Sequence, residues 1–221
     1  MTDEENFKPA AAIFDMDGLM LDTERPAIAL WIKAGKTYGY TISEEIVLLT
    51  LGVSDDGIRA LCERQYGRDF PFDKILEERN RLITEEFAKE GIVCRPGLIV
   101  LLDHLASLKI PVAVATSTHR ETAVWKLRKA GVLDRFTVMV CGDEITRGKP
   151  APDIFLLAAE RLGRPPSVCV GFEDSPAGLR GLHDAGIRSV FVKDLVEPPE
   201  EILSTVWRRC GDLAEAAKFF G

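Results

Sequence analysis

The sequence predicts an α/β fold: a doubly wound parallel sheet with a small α-helical domain inserted after the first strand. Three observations carry this. Five short apolar runs lack the alternation of half-exposed strands, as expected of strands covered on both faces. Stretches with helical spacing separate most of them. One interval, from Asp15 to Thr116, spans 101 positions, whereas a crossover with its helix can be as short as about 12 residues.

The elements follow in order. The first run, residues 10–14, stops abruptly at Asp15. Within the long interval, residues 24–38, 43–50, 54–66 and 72–89 carry helical patterns, and no convincing buried strand interrupts them. Residues 25–92 are therefore read as the inserted helical domain, and residues 1–24 and 93–221 as the α/β core. Residues 96–107 give the next helix, and residues 110–115 a second strand ending at Thr116. A helix over 120–130 is stopped by Gly131, and a third strand over 137–141 by Gly142-Asp143. Then come a helix over 152–162, a fourth strand over 167–170 followed by Gly171-Phe172-Glu173-Asp174, and a helix over 176–185 stopped by Gly186. Residues 188–192 form the fifth strand. No internal repeat or low-complexity segment is present.

Composition narrows the function classes. The 221 residues include 46% hydrophobic side chains, enough for a sizeable core. The net charge of −7 argues against binding a nucleic-acid backbone, which needs a basic surface. The densest basic cluster, Trp207-Arg208-Arg209, is too short to serve. No apolar run approaches the roughly 20 residues of a membrane span, and the acidic start lacks a secretory pattern. The five cysteines are scattered without a Cys-x-x-Cys pair, so neither a zinc ribbon nor a disulfide framework is indicated. A reducing, cytoplasmic setting and a monomeric state are expected.

The chemistry gathers at the strand ends. In open α/β sheets, ligands bind beyond the carboxyl ends of strands, where strand order reverses. The first strand delivers Asp15 and Asp17, the second Thr116 and Ser117, the fourth Glu173 and Asp174. Four carboxylates at one sheet edge repel unless a cation or protons offset them. A hard divalent ion, most simply Mg²⁺, is the natural resolution. Each feature also has a plainer reading. Asp17-Gly18 could make an ordinary turn, and Thr116-Ser117 could cap the helix beginning near Arg120. Lys149 could be a solvated loop lysine, and Glu173-Asp174-Ser175-Pro176 a common acidic helix start. His104 and His183 read as packing or surface residues; His119, close to the site, is a candidate substrate contact.

Four segments together decide between these readings. Asp15-x-Asp17-Gly18-x-x-x-Asp22-Thr23, Ala115-Thr116-Ser117, Gly148-Lys149-Pro150-Ala151-Pro152-Asp153 and Gly171-Phe172-Glu173-Asp174-Ser175 resemble, in order and spacing, the four motifs of the haloacid dehalogenase-like hydrolases. The resemblance covers nearly the whole chain and implies a Rossmann-like core with a cap over the site. It implies Asp15 as a nucleophile that becomes an aspartyl-phosphate, and Asp17 as general acid and base. It further implies phosphate binding by Gly18, Thr116, Ser117 and Lys149. Mg²⁺ would be held by Asp15, Asp17 (through its carbonyl), Glu173 and Asp174. Asp22 and Thr23 would stabilise the turn.

The second aspartate of the pair favours phosphate esters over carbon–halogen bonds. The branch that looks most similar holds sugar phosphatases and β-phosphoglucomutase. That mutase has a cap histidine and a basic cap loop; here the segment Glu24-Arg25-Pro26-Ala27-Ile28 has no histidine, and the loop Leu51-Gly52-Val53-Ser54-Asp55-Asp56 is acidic. Hydrolysis of a small phosphorylated metabolite is therefore the expectation, with a mutase or a silent metal-binding regulatory module as alternatives. Arg25, Lys33, Arg59 and Arg64 are the cap residues that could reach a substrate.

Overall fold

The computed structural model describes residues 7–51, 53 and 55–220. The chain runs β1 (Ala11–Phe14), α1 (Glu24–Thr37), α2 (Glu44–Leu48), α3 (Asp55–Tyr66), α4 (Phe72–Glu90), α5 (Leu98–Ser107), β2 (Val112–Thr116) and α6 (Arg120–Lys129). It continues with β3 (Val138–Cys141), α7 (Asp153–Arg161), β4 (Cys169–Glu173), α8 (Pro176–Asp184), β5 (Arg188–Val192), α9 (Glu200–Leu203), β6 (Arg208–Cys210) and α10 (Leu213–Ala216). The six strands form one parallel sheet in the order β3-β2-β1-β4-β5-β6. Strand order reverses at β1, which lies between β2 and β4, so the residues following these three strands share one end of the sheet.

Period-two alternation explains the layers. Ala12 and Phe14 of β1, Val112 and Val114 of β2, and Val170 and Phe172 of β4 enter one core with Leu98, Leu101 and Leu105 of α5 and Leu213 of α10. Their neighbours Ala11, Ile13, Ala113, Ala115 and Cys169 enter the other, against Ile154, Phe155, Ala158 and Ala159 of α7. Phe14 and Phe172 stack across adjacent strands with ring centroids 4.5 Å apart. None of the five cysteines is paired, and no helix among the described residues is long and apolar enough to cross a membrane.

Helices α1–α4 fill the long interval and have a core of their own, built from Ile28, Trp31, Ile42, Ile58, Phe72, Ile75 and Leu82. Their inner ends are continuous with the main core, since Ala27, Ile83 and Phe87 pack into it. The two connecting segments run side by side: the Asp22 amide donates to the Val93 carbonyl at 2.9 Å and the Arg95 amide to the Met20 carbonyl at 2.8 Å. The residues expected to begin α3 include Ser54, which with Gly52 lies outside the described set.

One element departs from expectation. Trp207-Arg208-Arg209 was read only as a basic cluster, yet Arg208–Cys210 is the sixth strand, pairing parallel with β5. Two arginines in three residues conceal it; an edge strand tolerates charge because one side faces solvent.

Candidate active site

The site is built at the reversal of strand order. β1 ends at Phe14, and Asp15 follows with its amide bound to the Phe172 carbonyl of β4 at 3.1 Å. The buried Asp15 carboxylate meets Lys149, whose Nζ lies 2.5 Å from Asp15 Oδ1 and 2.7 Å from Glu173 Oε1. Lys149 is 1% exposed, so it is not the solvated loop lysine of the plainer reading. Burial works against its charge, but Asp15 and Glu173 outweigh that and keep it protonated well above the usual lysine range. Burial pushes the Asp15 carboxyl well up, opposed by Lys149 and reinforced by Glu173.

Glu173 was expected to hold metal. Its other oxygen, Oε2, accepts from the amides of Asp174 and Ser175 and from the Ser175 hydroxyl, each at 2.9 Å. With Lys149 on Oε1, Glu173 anchors that lysine, and Oε1 keeps a lone pair that could face a cation. Asp174 differs: its Oδ1 is buried without a hydrogen-bond partner among the described residues. Burial raises its carboxyl well above the usual range, as do Glu173 and Asp15. Carboxylate oxygens of Asp15, Glu173 and Asp174 lie within 4.8 Å of one another. An orphaned oxygen in a buried acidic cluster fits a hard divalent cation, which would supply the missing partner and the missing positive charge.

Gly18 takes φ +86°, and a Cβ there would come within 2.5 Å of Asp174 Oδ2. It was expected to bind phosphate, but its amide donates to the Leu21 carbonyl at 2.9 Å. Its contribution is the room that lets the first loop approach Asp174.

The Asp17 carboxylate lines the same cleft but stands outside that acidic cluster, with partners of its own. Oδ1 accepts from Lys126 Nζ at 2.5 Å and from the Thr23 hydroxyl at 2.6 Å, and Oδ2 from the Thr118 hydroxyl at 2.7 Å. Burial raises its carboxyl, but Lys126 and the two hydroxyls prevail, and it sits below the usual range. Thr23, expected only to stabilise the turn, is therefore a direct partner of Asp17.

Thr116 ends β2 and Ser117 follows it, and both line the cleft. They do not cap α6: the residue before that helix is His119, and the Arg120 amide donates to Asp143 Oδ1 at 2.9 Å. His119 stands on the cleft rim with Nε2 4.0 Å from Asp55 Oδ2 of α3. His104 contacts the Phe220 carbonyl, and His183 is exposed on α8.

A cleft of about 520 Å³ lies between the sheet edge and the insert. Asp15, Asp17, Thr116, Ser117 and Lys126 face it from the core, and Trp31, Arg79 and Asn80 from α1 and α4. None of Arg25, Lys33, Arg59 and Arg64 lines it. Arg25 pairs with Asp22 and Asp194, Arg59 with Asp73, Lys33 is exposed, and Arg64 borders a separate groove. Sequence reasoning missed Glu24, Arg79 and Lys126. The signal was available for two of them. Arg79 falls within the stripe Ile75, Leu82, Ile83 of α4, and Lys126 within Ala123, Leu127 of α6; a charge in an apolar stripe needs a partner.

The comparisons agree with this geometry. Residues 9–186 match the family model described as haloacid dehalogenase-like hydrolase. The chain is 35% identical to a phosphorylated carbohydrates phosphatase of Thermotoga maritima, over 82% of this chain and 83% of that one. It is 31% identical to hexitol phosphatase A of Escherichia coli, over 85% and 84% respectively. The crystal structure of CbbY from Rhodobacter sphaeroides in complex with phosphate superposes with a TM-score of 0.80 at 28% identity, covering 94% of this chain and 96% of that one. The chain belongs to the haloacid dehalogenase-like hydrolases. Within that family it is an enzyme of the phosphatase class.

Proposed function

We propose that this enzyme is a Mg²⁺-dependent phosphomonoesterase that hydrolyses a small phosphorylated carbohydrate, or a similar phosphoester, through an aspartyl-phosphate on Asp15. The observation that carries the reading is Asp15, which lines the cleft with the buried Lys149 behind it and shares an acidic cluster with the unpartnered oxygen of Asp174.

An Asp15 oxygen attacks phosphorus while the ester P–O bond breaks; Asp17, held ionised in the free enzyme by Lys126 and the two hydroxyls, takes up a proton in the substrate complex and passes it to the departing oxygen. Asp17 then draws a proton from water as that water attacks the aspartyl-phosphate, releasing phosphate and restoring Asp15. Thr116 and Ser117 hold phosphate oxygens, and Lys149 places a fixed positive charge beside the nucleophile. Asp15, Glu173 and Asp174, with the Asp17 carbonyl, would hold Mg²⁺, which when bound offsets the repulsion between carboxylate and phosphate.

Residues 25–92 act as the cap, closing the cleft from above and limiting substrates to small molecules. Arg79 and Glu24 are the proposed contacts to the leaving group. Arg79 Nε has no hydrogen-bond partner among the described residues, and its guanidinium lies 5.2 Å from the Trp31 ring centroid. Hydrolysis is preferred to mutase chemistry because the segment over residues 24–28 has no histidine and the loop over residues 51–56 is acidic. The enzyme is expected to act as a monomer in the cytoplasm, without nucleic acid or membrane.

Phosphate release from sugar phosphates, hexitol phosphates and phosphoglycolate tests this, each with Mg²⁺, with chelator, and with Asp15→Asn. Metal-dependent turnover lost in the variant is the expected result. Isomerisation of β-glucose 1-phosphate without phosphate release would overturn it, as would turnover indifferent to Asp15.

A further inference from the structure

We propose that Lys126 is a positioning residue for catalysis, fixing the Asp17 carboxylate at the cleft wall so that it can exchange a proton with the leaving oxygen and with water. This rests on the phosphatase reading above.

The lysine is placed where burial alone would disfavour it. It lies on the inward stripe of α6, between Ala123 and Leu127, with its side chain 9% exposed. Burying an ammonium is costly without a compensating charge, and Asp17 Oδ1, 2.5 Å away, provides one. The pair joins α6 to a loop 109 positions earlier in the chain. Such a contact fixes tertiary geometry.

Three donors from three places converge on Asp17. Thr23 comes from the segment leading into the insert, Thr118 from the loop after β2, and Lys126 from α6. Together they engage both carboxylate oxygens and determine the plane of the group. The two hydroxyls can rotate and can also accept; only Lys126 supplies a fixed charge of the sign that holds a carboxylate in place. Asp15, two residues earlier, has a different lysine, Lys149. The nucleophile and the proton carrier are thus held by separate cations from separate elements.

The consequence is kinetic. Proton transfer requires hydrogen-bond reach, and general acid–base catalysis contributes about 10²- to 10⁴-fold. A misplacement of about 1 Å can forfeit roughly 10²-fold. Without Lys126 the Asp17 carboxylate keeps two hydroxyl contacts but loses its fixed charge partner. Substrate affinity is carried elsewhere, by Thr116, Ser117, Lys149 and the cap, and is expected to survive.

The test is a double-mutant cycle. Lys126→Met and Lys126→Arg are made in the wild type and in Asp17→Asn, and turnover of glucitol 6-phosphate and p-nitrophenyl phosphate is measured at saturating Mg²⁺. Circular dichroism and thermal unfolding establish folding, and Lys126→Gln replaces the Met variant if that one fails to fold. In the wild-type background, Lys126→Met is expected to lower kcat roughly 30-fold with KM within about twofold, and Lys126→Arg to recover most of the loss. In the Asp17→Asn background, Lys126→Met is expected to cost nothing further. A loss confined to KM, or losses that multiply in the double variant, would overturn the proposal by showing that Lys126 acts on substrate directly. Unchanged kcat in Lys126→Met would overturn it too. A wild type without phosphate release would remove the proposal by removing the reading beneath it, an outcome distinct from a working wild type with an indifferent Lys126.

Discussion

Glu24 shows how much one partly buried carboxyl can report. It sits at the first position of α1, beside the cleft. Burial, and then the charge of Asp17, push its carboxyl from the ordinary 4.5 to about 7, with Arg79 and Lys126 opposing. Between these values the folded protein retains a proton that the unfolded chain has released. The stability associated with that proton is fully present below pH 4.5 and is lost as pH rises through 7. Glu24→Gln removes the titration. The variant is expected to match the wild type near pH 4 and to exceed it by about 2 kcal/mol at pH 8. Urea unfolding at the two pH values, in chelator so that no metal alters the local charge, checks this. A difference that is the same at both values would show that Glu24 does not titrate as described.

At the scale of one element, α8 shows why part of the site was legible in the sequence and part was not. Glu173-Asp174-Ser175-Pro176 announces both a strand end and a helix start, and the structure uses it as both. Ser175 is the N-cap, accepting from the Gly178 amide at 3.0 Å, while its own amide and hydroxyl serve Glu173. The role of Gly178 could not be read from spacing. A Cβ there would lie 1.7 Å from Glu173 Oε1, so the glycine exists to seat a carboxylate from the preceding strand. In an ordinary helix interior, Gly→Ala gains about 1 kcal/mol. Here Gly178→Ala is expected to destabilise by more than about 1 kcal/mol, because it overfills a packed site. It should also cut turnover at least tenfold by displacing Glu173 from Lys149. Stability and kcat measured on the same preparation test this, and a stabilised, active variant would refute it. The same contrast runs through the chain. Strands β1–β5 and the helices between them announced themselves because apolar side chains fill both faces of the sheet. Asp15, Asp17 and Thr116 were legible because they stand at or just past strand ends, and Lys149 through the resemblance of its segment to a family motif. Strand β6 was not, since its arginines hide the pattern, and for Lys126 and Arg79 the apolar stripe signals only that a partner is needed, the partner itself being distant in the chain.

At the scale of the whole molecule, the insert is fastened to the core by more than its two connecting segments. Asp194, just after β5, has a side chain only 2% exposed. Its Oδ1 accepts from Arg25 at the start of the insert at 2.6 Å and lies 3.0 Å from Arg95 in the returning segment. Arg95 also donates to the Lys193 carbonyl at 3.4 Å, and Leu195 packs against the insert's own core. A loop from the far half of the sheet thus clasps both connections, next to the antiparallel contact of Leu21 with Cys94. Any motion of the insert relative to the sheet must strain or break this clasp, so it bears on how readily the cleft opens. Asp194→Asn keeps the shape and one acceptor oxygen but removes the charge between two guanidinium groups. Hydrogen bonds to charged groups contribute about 1.5–3 kcal/mol, and Arg25 is nearly half exposed, so the expected loss is about 1 kcal/mol, most of it local. Hydrogen exchange separates local from global loosening. Amides in residues 19–25 and 91–97 should exchange faster in the variant, while those of β1, β2 and β4 keep their protection. Uniformly faster exchange throughout the sheet would make Asp194 an ordinary stabilising residue, and no change in the two connections would mean that the insert is held by its packing alone.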